Sequence, residues 1–419
     1  MTSLQLLLWI VGSILLQLAI YLSLAFWRHW TDYAALQRKA NEQDIQVTAS
    51  DLIEEPEPVA TAWTGLRTFK VASKVVEDAA RSVCSFTLVP QDGGTLPPFL
   101  PGQFLTFALD IPNANGVTEP VVRCYSLSDA PRPDHYRVTI KREPAPAGST
   151  LAPGRSSNYF HDQVEPGCEL KVRAPAGHFH LDHGDSPVVL IGGGVGITPM
   201  LSMLTWCLTN QAEREIWLFY GVRHESELVM APQLEALAAA HPHFHLHFCL
   251  SVPSPKEVAA RGHRLHGRVN VALLRRLLPL KPFHFYICGP TPMLQSLVPA
   301  LEDWGVPQAR IHFEAFGPAS IARKTPATPP NGVGSSFVVT FAKSGQQWPW
   351  QAGMGSLLEL AESHGISVAS GCRAGGCGSC QTAILSGEVA YSQPPDCDPE
   401  PGSCLLCVCT PRTSVTLEA

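Results

Sequence analysis

The sequence predicts a multidomain fold: a single transmembrane helix, an antiparallel β-barrel, an α/β doubly wound domain and a C-terminal α+β domain. Three observations carry this prediction. Residues 4–27 contain no charged side chain, and short β-rich runs give way after residue 186 to alternating strands and helices. Seven of the thirteen cysteines lie between Cys372 and Cys409. A chain of 419 residues is long enough for two or three soluble domains.

The composition excludes two classes of protein. A net charge of -6 and a pI near 6.2 argue against a nucleic-acid partner, because nucleic-acid binders usually carry a basic excess. The cysteines are odd in number and clustered, whereas a secreted disulfide framework would spread and pair them. This distribution indicates a metal or cluster site in a reducing compartment.

The uncharged segment at residues 4–27 is predicted to be a membrane anchor. Its 24 residues would form a helix of roughly 36 Å, enough to cross a hydrocarbon core of about 30 Å. A buried soluble helix and a cleaved signal peptide are the alternatives, and no basic residue precedes the apolar run as a signal peptide requires. Arg28, Arg38 and Lys39 follow the span, so the positive-inside rule predicts a single-pass protein with cytoplasmic catalytic domains. We assign residues 1–30 to the anchor and 31–62 to a polar tether.

Residues 63–185 are predicted to form the antiparallel barrel. Runs such as "SVCSFTLVP", "QFLTFALDI" and "YRVTIKRE" are separated by turn signals such as "QDGG" and "PNANG". Within this region, Arg123, Tyr125 and Ser126 follow one another along a strand. The guanidinium can neutralise a pyrophosphate, the phenol can pack on a flat ring and the hydroxyl can donate to that ring. Taken alone, the motif favours an exposed strand that has a mixed face.

Residues 186–317 are predicted to form the doubly wound domain. In "PVVLIGGGVGITPMLSMLTWCL" an apolar strand passes through glycines into a helix, a geometry that presents backbone N–H groups to an anion. The spacing is not G-x-G-x-x-G, and no acidic residue stands where a ribose hydroxyl would need one. On its own, the turn favours a nucleotide site and a plain tight turn equally. The histidines of "HPHFHLHF", residues 241–248, are predicted to lie on an exposed strand face.

After a Pro/Gly-rich linker at residues 318–335, residues 336–419 are predicted to hold an iron–sulfur cluster. Cys372, Cys377 and Cys380 have the spacing C-x4-C-x2-C, the plant-type pattern for a [2Fe-2S] cluster held by four thiolates. A zinc site would more usually show two C-x2-C pairs. The residues alone leave four candidates for the fourth ligand. They are Cys397, Cys404, Cys407 and Cys409.

The chain resembles the ferredoxin-NADP reductase superfamily, and within it the reductase part of the flavohaemoglobins, over residues 63–318. The matching stretches, in the order of the family, are "PGQF" (101–104), "RCYSLSDAP" (123–131), "YRVTIKREP" (136–144), "SNYFHD" (157–162), "APAGHFHLD" (174–182), "PVVLIGGGVGITPMLSML" (187–204), "CGP" (288–290) and "EAFGP" (314–318). The resemblance implies an FAD barrel followed by a nicotinamide-nucleotide domain, with FMN as the alternative flavin. Flavohaemoglobins commonly have tyrosine where this chain has Phe104, which removes one hydroxyl.

The resemblance also implies site residues. The flavin would contact Phe104, Arg123, Cys124, Tyr125 and Ser126. The FAD phosphates would lie near Lys141, Arg142, Ser157 and Asn158, the last two opening a helix. The dinucleotide would lie on Gly192, Gly193, Gly194, Val195, Gly196, Ile197 and Thr198. The nicotinamide would lie beside Cys288, Gly289 and Pro290, and the isoalloxazine would be covered by Glu314, Ala315, Phe316 and Gly317. The catalytic residues would be Ser126, Cys288, Glu314 and Phe316.

Residues 336–419 resemble the plant-type ferredoxins, which have a β-grasp fold. In that family the last cysteine lies four positions before a proline or its equivalent, which implies Cys407, ahead of Pro411, as the fourth ligand. The order of reductase and then ferredoxin resembles the phthalate dioxygenase reductase group of oxygenase reductases. The region before the barrel holds only the anchor and tether, so nitric oxide dioxygenation by a bound haem is not expected of this chain alone.

Together these features predict an NAD(P)H-oxidising reductase. Nicotinamide cofactors deliver two electrons at once, an iron–sulfur cluster takes one, and a flavin converts between them. We expect electrons to pass from NAD(P)H to FAD, to [2Fe-2S] and then to a separate one-electron acceptor near the membrane: an oxygenase, a desaturase or a haem protein. Direct quinone or ferric reduction from the flavin, and a redox-sensing membrane scaffold, are the alternatives. Arg223 and His224 leave the choice between NADH and NADPH open.

Overall fold

The computed structural model describes residues 63, 65–113, 115–145, 148, 152–254, 263–316, 337–371, 373, 375–391, 395, 397 and 399–419. The predicted anchor, tether and linker lie outside these residues. Within the described part of the chain, no helix is long and apolar enough to cross a membrane. The described residues belong to one compact unit, which spans Thr61–Ala419.

The first sheet is antiparallel, as the alternating runs predict. Its strands are β1 (Arg67–Val76), β2 (Val83–Pro90), β3 (Phe104–Pro112), β4 (Thr118–Ser126), β5 (Tyr136–Lys141) and β6 (Glu169–Val172). Their order is β4-β3-β6-β1-β2-β5, and a bridge between Leu127 and Val138 joins the two outer strands, so the sheet curls into a half-barrel. Helix α1 (Arg155–Asp162) buries Phe160 in the barrel core, with its ring 5.2 Å from that of Phe86.

The second sheet is parallel throughout and has a helical layer on each face. Its elements are β7 (Val188–Gly193), α2 (Ile197–Asn210), β8 (Ile216–Val222), α3 (Ala231–Ala240), β9 (Phe244–Leu250), β10 (Arg264–His266), α4 (Val271–Leu277), β11 (His284–Gly289), α5 (Thr291–Asp303) and β12 (Ile311–Ala315). The order is β10-β9-β8-β7-β11-β12. One apolar core lies between the sheet and α2 and α3, and a second lies between the sheet and α4 and α5. This arrangement is the predicted doubly wound fold.

The C-terminal domain is α+β. Its elements are β13 (Phe337–Phe341), β14 (Gln346–Trp350), α6 (Leu357–Ser363), β15 (Gln381–Ser386), β16 (Val389–Tyr391), β17 (Ser403–Leu405), β18 (Cys409–Pro411) and β19 (Val415–Leu417). Five strands form a mixed sheet in the order β14-β13-β19-β15-β17, and β16 pairs with β18. Helix α6 begins with a capping box in which Ser356 and Glu359 satisfy each other's backbone N–H groups, and its leucines face the core.

The prediction that the histidines of β9 lie on an exposed face is wrong. The ring of His245 stacks on Trp217 of β8 with centroids 4.1 Å apart, and the ring of His247 stacks on Phe219 at 5.0 Å. The rings stack because Trp217 is the register partner of His245, and Phe219 that of His247, on the same face of the sheet. Burial lowers the pKa of His247 to about 4, and this side chain is therefore neutral at pH 7.

Candidate functional site

The glycine turn lies directly on the end of the neighbouring strand. Strand β7 ends at Gly193, a single 3-10 turn spans Gly194–Gly196, and α2 begins at Ile197. A Cβ atom at Gly196 would lie 2.2 Å from the carbonyl oxygen of Cys288, a distance that no side chain tolerates. The sequence requires glycine here because the turn packs against the main chain of β11. The carboxyl ends of β7 and β11 therefore meet where ligands bind in parallel sheets.

Three of the predicted residues lie side by side across this edge. Cys288 is the register partner of Gly192 on one side and of Glu314 on the other. The thiol is fully buried, and burial, together with the nearby charge of Glu314, raises its pKa well above the usual range. At the end of β12, Phe316 is 44% exposed and lies at the mouth of this edge. Gly317 lies outside the described residues.

The rest of the glycine segment follows from the same turn. Val195 and Ile197 flank Gly196, and the hydroxyl of Thr198 donates to the carbonyl of Val195 at 3.0 Å, which closes the turn. Gly289 ends β11 and Pro290 precedes α5. The nucleotide residues implied by the family resemblance are therefore brought together at one sheet edge.

The predicted flavin residues share the β3–β4 pair of the barrel. Phe104 and Ser126 are antiparallel partners and both are buried. The phenol of Tyr125 is hydrogen-bonded to Ser156 of α1 at 2.8 Å, and burial raises the pKa of Tyr125 to about 12. The Sγ atom of Cys124, the residue before Tyr125, lies 3.4 Å from the hydroxyl of Thr106. The fold thus gathers these side chains on adjacent strands, as the motif predicts.

The predicted phosphate side lies where β5 meets α1. The guanidinium of Arg142 donates to the side-chain oxygen of Asn158 at 3.1 Å and also pairs with Asp162. The ammonium of Lys141 lies 3.9 Å from a carboxylate oxygen of Glu227, which belongs to the nucleotide domain. Both basic side chains therefore contact protein groups that a bound phosphate would have to share.

The expectation that Ser157 and Asn158 open a helix is off by two residues. Helix α1 begins at Arg155, so both lie inside its first turn. The hydroxyl of Ser157 accepts from the backbone N–H of Glu143 at 3.1 Å, and the amide of Asn158 donates to the carbonyl of Glu143 at 2.8 Å. These side chains tie the helix to the chain that leaves β5, a role that the sequence pattern does not reveal.

Arg123 has a partner that sequence reasoning did not find. Its Nη1 atom donates to the carbonyl of Val122 at 2.7 Å and to the carbonyl of Gly371 at 3.2 Å. Gly371 immediately precedes the first cysteine of the C-x4-C-x2-C motif. The partners are 248 residues apart, and no local signal in the sequence connects them.

The cysteines of the C-terminal domain fall into two groups. Cys377 and Cys380 are buried, and hydrogen bonds from Cys407 lower the pKa of the Cys380 thiol. In contrast, Cys404 and Cys409 contact each other, and this hydrogen bond, together with burial, raises the pKa of Cys409. Cys407 is thus a downstream candidate whose side chain is hydrogen-bonded to Cys380.

Cys397 belongs to a later segment that contacts the cluster loop through its backbone, where its N–H donates to the carbonyl of Gly375 at 2.9 Å. Cys372 lies outside the described residues. Within those residues no three Cys, His, Asp or Glu side chains converge as metal ligands. Buried thiols in a glycine-rich loop are the donors that a [2Fe-2S] cluster takes, so the residues present fit the group. The complete ligand set stays a prediction.

Comparisons with known proteins match both the nucleotide domain and the cysteine-rich domain. The family described as "Oxidoreductase NAD-binding domain" matches residues 190–298, and "2Fe-2S iron-sulfur cluster binding domain" matches residues 339–412. The FAD/NAD binding domain of the nitric oxide dioxygenase from Vibrio cholerae O1 biovar El Tor is 35% identical, with a TM-score of 0.53, and the match covers 60% of this chain and 99% of that chain. The chain is a reductase of the ferredoxin-NADP reductase family with a [2Fe-2S] domain.

Two further relatives define what this reductase shares with others. The flavohemoprotein of Bacillus thuringiensis subsp. konkukian is 36% identical over 272 residues, which are 65% of this chain and 66% of that protein. The reductase therefore spans slightly less than two thirds of that relative. Phthalate dioxygenase reductase, described as transferring electrons from pyridine nucleotides to [2Fe-2S], is 28% identical with a TM-score of 0.51, and the match covers 85% of this chain and 98% of that chain. The reductase is an NAD(P)H-dependent oxidoreductase with FAD and a [2Fe-2S] cluster as cofactors.

Proposed function

We propose that this reductase is anchored in the membrane and passes electrons from its [2Fe-2S] cluster to a separate one-electron acceptor protein: an oxygenase, a desaturase or a haem protein. The observation that carries the proposal is the contact between the flavin barrel and the cluster loop, where Arg123 donates to the carbonyl of Gly371 at 3.2 Å. The contact supports a route in which electrons leave the flavin through the ferredoxin domain.

Residues at the sheet edge support the binding of the nucleotide that would donate the electrons. The close packing of Gly196 on Cys288 lets the backbone approach a bound nicotinamide nucleotide. The Cys288 thiol stays protonated at neutral pH because its pKa is raised, and it would therefore present no charge to a nicotinamide bound beside it. Phe316, at the mouth of the sheet edge, would cover the flavin face if the flavin binds as the family resemblance implies. Bound FAD supplies the conversion between two-electron oxidation of the nicotinamide and one-electron reduction of the cluster.

The acceptor is proposed from the architecture. Phthalate dioxygenase reductase is described as transferring electrons from pyridine nucleotides to [2Fe-2S], and the similarity extends over nearly all of that chain. We carry that sequence of carriers over to this chain, and we infer that the acceptor docks on the ferredoxin domain. The alternatives are direct quinone or ferric reduction from the flavin, and redox sensing with only incidental turnover.

Replacing one cluster ligand separates these functions. In Cys377→Ser, NAD(P)H oxidation by ferricyanide, a small acceptor that can react at the flavin, should remain within about threefold of the wild type. Reduction of cytochrome c, a one-electron protein acceptor, should be lost. Undiminished cytochrome c reduction in Cys377→Ser would contradict the proposal and favour direct transfer from the flavin. Negligible turnover of the wild type with either acceptor would favour the sensor.

The membrane anchor is proposed from the uncharged run at residues 4–27, with the catalytic domains in the cytoplasm because Arg28, Arg38 and Lys39 follow it. Tethering would raise the effective concentration of the reductase near a membrane acceptor without adding a contact. Full-length protein should float with lipid vesicles in a density gradient, and protein lacking residues 1–30 should not. The anchor hypothesis fails if both proteins stay at the bottom, or if both reduce the acceptor in native membranes equally well.

A further inference from the structure

The cluster loop touches the flavin barrel at two glycines. Gly371 and Gly376 immediately precede Cys372 and Cys377, the first two predicted ligands. The Arg123 guanidinium holds the carbonyl of Gly371 at 3.2 Å. A Cβ atom at Gly371 would lie 3.1 Å from the Cβ of Val122. The loop thus lies against strand β4 with no room for a side chain between them.

The second contact is made by Phe104 of strand β3, whose ring points end-on at Gly376. A Cβ atom at Gly376 would lie 3.0 Å from Cζ of Phe104, 3.5 Å from Cε1 and 3.7 Å from Cε2, so Cζ is the nearest ring atom. The ring has no freedom to withdraw, because a Cβ atom at Gly177 of the barrel would lie 2.8 Å from Cε1. Only 4% of Phe104 is exposed. The ring is therefore held between two glycines, one from each domain.

This geometry leaves no room for a hydroxyl on the ring at position 104. A tyrosine carries its hydroxyl on Cζ, and here that hydroxyl would project into Gly376. Overpacking of this kind displaces neighbouring backbone in a packed interior. Phenylalanine at position 104 and glycine at position 376 are thus complementary in shape.

We propose that Phe104 and Arg123 form a seat on the flavin barrel that positions the cluster loop, and that the missing hydroxyl of Phe104 lets the loop lie on the barrel. Phe104 and Arg123 are positioning residues in this role, because the effect proposed here acts through the loop and is separate from the flavin contacts that the family resemblance implies for them. The proposal rests on the proposed transfer of electrons from the flavin to the cluster. The proposal adds to that function the contact surface that fixes how closely the flavin barrel and the ferredoxin domain approach each other.

The experiment compares Phe104→Tyr, Gly376→Ala and the double variant Phe104→Leu/Gly376→Ala with the wild-type holoenzyme. FAD, iron and sulfide are measured for each protein, and amide hydrogen exchange is followed in peptides that cover residues 371–380. Anaerobic stopped-flow mixing with NADH then separates the rate of flavin reduction from the rate of cluster reduction. Gly221→Ala, on strand β8, is the matched control, because its Cβ would lie 3.6 Å from Val269 and make only ordinary contact.

Each single variant should slow cluster reduction about tenfold relative to flavin reduction, since small misplacements are costly in transfer steps. Exchange in the loop peptides should rise in both. In the double variant, the ratio of the cluster-reduction rate to the flavin-reduction rate should recover to within about threefold of the wild-type ratio, because the smaller leucine makes room for the added methyl group. The ratio removes any effect that the leucine has on flavin reduction itself. If Phe104→Tyr loses FAD, Gly376→Ala carries the test from the ferredoxin side.

Two results would contradict the proposal that Phe104 and Arg123 position the cluster loop. One is wild-type exchange and transfer in both single variants. The other is a double variant as impaired as Gly376→Ala alone, which would mean that Gly376 serves only the backbone of its own loop. If the wild type itself transfers no electrons to the cluster, the proposed function fails. The exchange measurements and their rescue would still decide the seat.

Discussion

Replacing Gly196 by alanine should weaken nucleotide binding by about tenfold. The added Cβ would lie 2.2 Å from the carbonyl oxygen of Cys288, 2.5 Å from its carbonyl carbon and 2.8 Å from the nitrogen of Gly289. All three are main-chain atoms, and no side chain can rotate away. Reaching an ordinary contact of 3.4 Å requires the turn and strand β11 to separate by about 1 Å.

Overpacking of this kind costs roughly 1–3 kcal/mol. Every 1.4 kcal/mol that falls on the nucleotide-binding conformation is a tenfold loss of affinity. The assay is the dissociation constant for NADH, taken from the concentration dependence of flavin reduction in anaerobic stopped-flow mixing. Gly221→Ala, in the same sheet, should bind NADH as the wild type does. Equal dissociation constants for Gly196→Ala and Gly221→Ala would refute the role given to this packing.

Three further predictions concern the cluster, the barrel and the pH dependence of stability. Cys407→Ser should lose the cluster while Cys404→Ser keeps it, because the Cys407 side chain is hydrogen-bonded to Cys380 whereas Cys404 is hydrogen-bonded to Cys409. Iron and sulfide contents and the EPR spectrum of the reduced protein report this, and equal cluster loss in both variants would contradict it. Tyr125→Phe should lower the free energy of unfolding by about 1 kcal/mol, since the buried Ser156 hydroxyl loses its partner at 2.8 Å, and urea titration measures it. The neutral form of His247 is favoured in the folded state, where its pKa is about 4 against an ordinary 6.5. The contribution of neutral His247 to the free energy of unfolding is therefore complete above pH 6.5 and falls as the pH drops towards 4. The loss is about 1 kcal/mol at pH 5 after allowance for partial exposure. His247→Phe should remove that part of the acid sensitivity in urea titrations, and an unchanged pH profile would contradict the assignment.

Short sequence motifs and hydrophobic periodicity predicted those features that depend on residues close together in the sequence. The glycines at 192–196 and the cysteine spacing at 372–380 carry their chemistry within a few residues, so the sheet edge and the cluster loop could be predicted without a structure. The periodicity change after residue 186 likewise placed the antiparallel and parallel sheets in the right order. The start of α1 at Arg155 could not be predicted, because its N-cap residue is Gly154, which has no side chain to form the capping hydrogen bond that marks many helix starts in a sequence.

Contacts between distant segments could not be predicted in this way. Arg123 was assigned to a pyrophosphate from its place in a motif, and the structure directs it to Gly371 in another domain. The loss of a hydroxyl at Phe104 was visible in the sequence, but the lack of room for that hydroxyl appears only when Gly376 is seen against the ring. The histidines of β9 followed the correct alternation, yet the stacked rings of β8 decide their burial. In each case the contacting residue lies in another segment of the chain, and the spacing of residues in the sequence does not show that the two segments are in contact.

The central claim is that electrons pass from NAD(P)H through the flavin to the cluster, and an anaerobic titration of the detergent-solubilised protein with NADH, and separately with NADPH, tests it most directly. Absorbance follows the flavin and low-temperature EPR follows the cluster. The account predicts bleaching of the flavin together with a rhombic [2Fe-2S] signal, and the nucleotide needed in smaller amount is the preferred donor. Flavin bleaching without an EPR signal, in protein that contains two iron and two sulfide per chain, would contradict the account, because the cluster would then not lie downstream of the flavin.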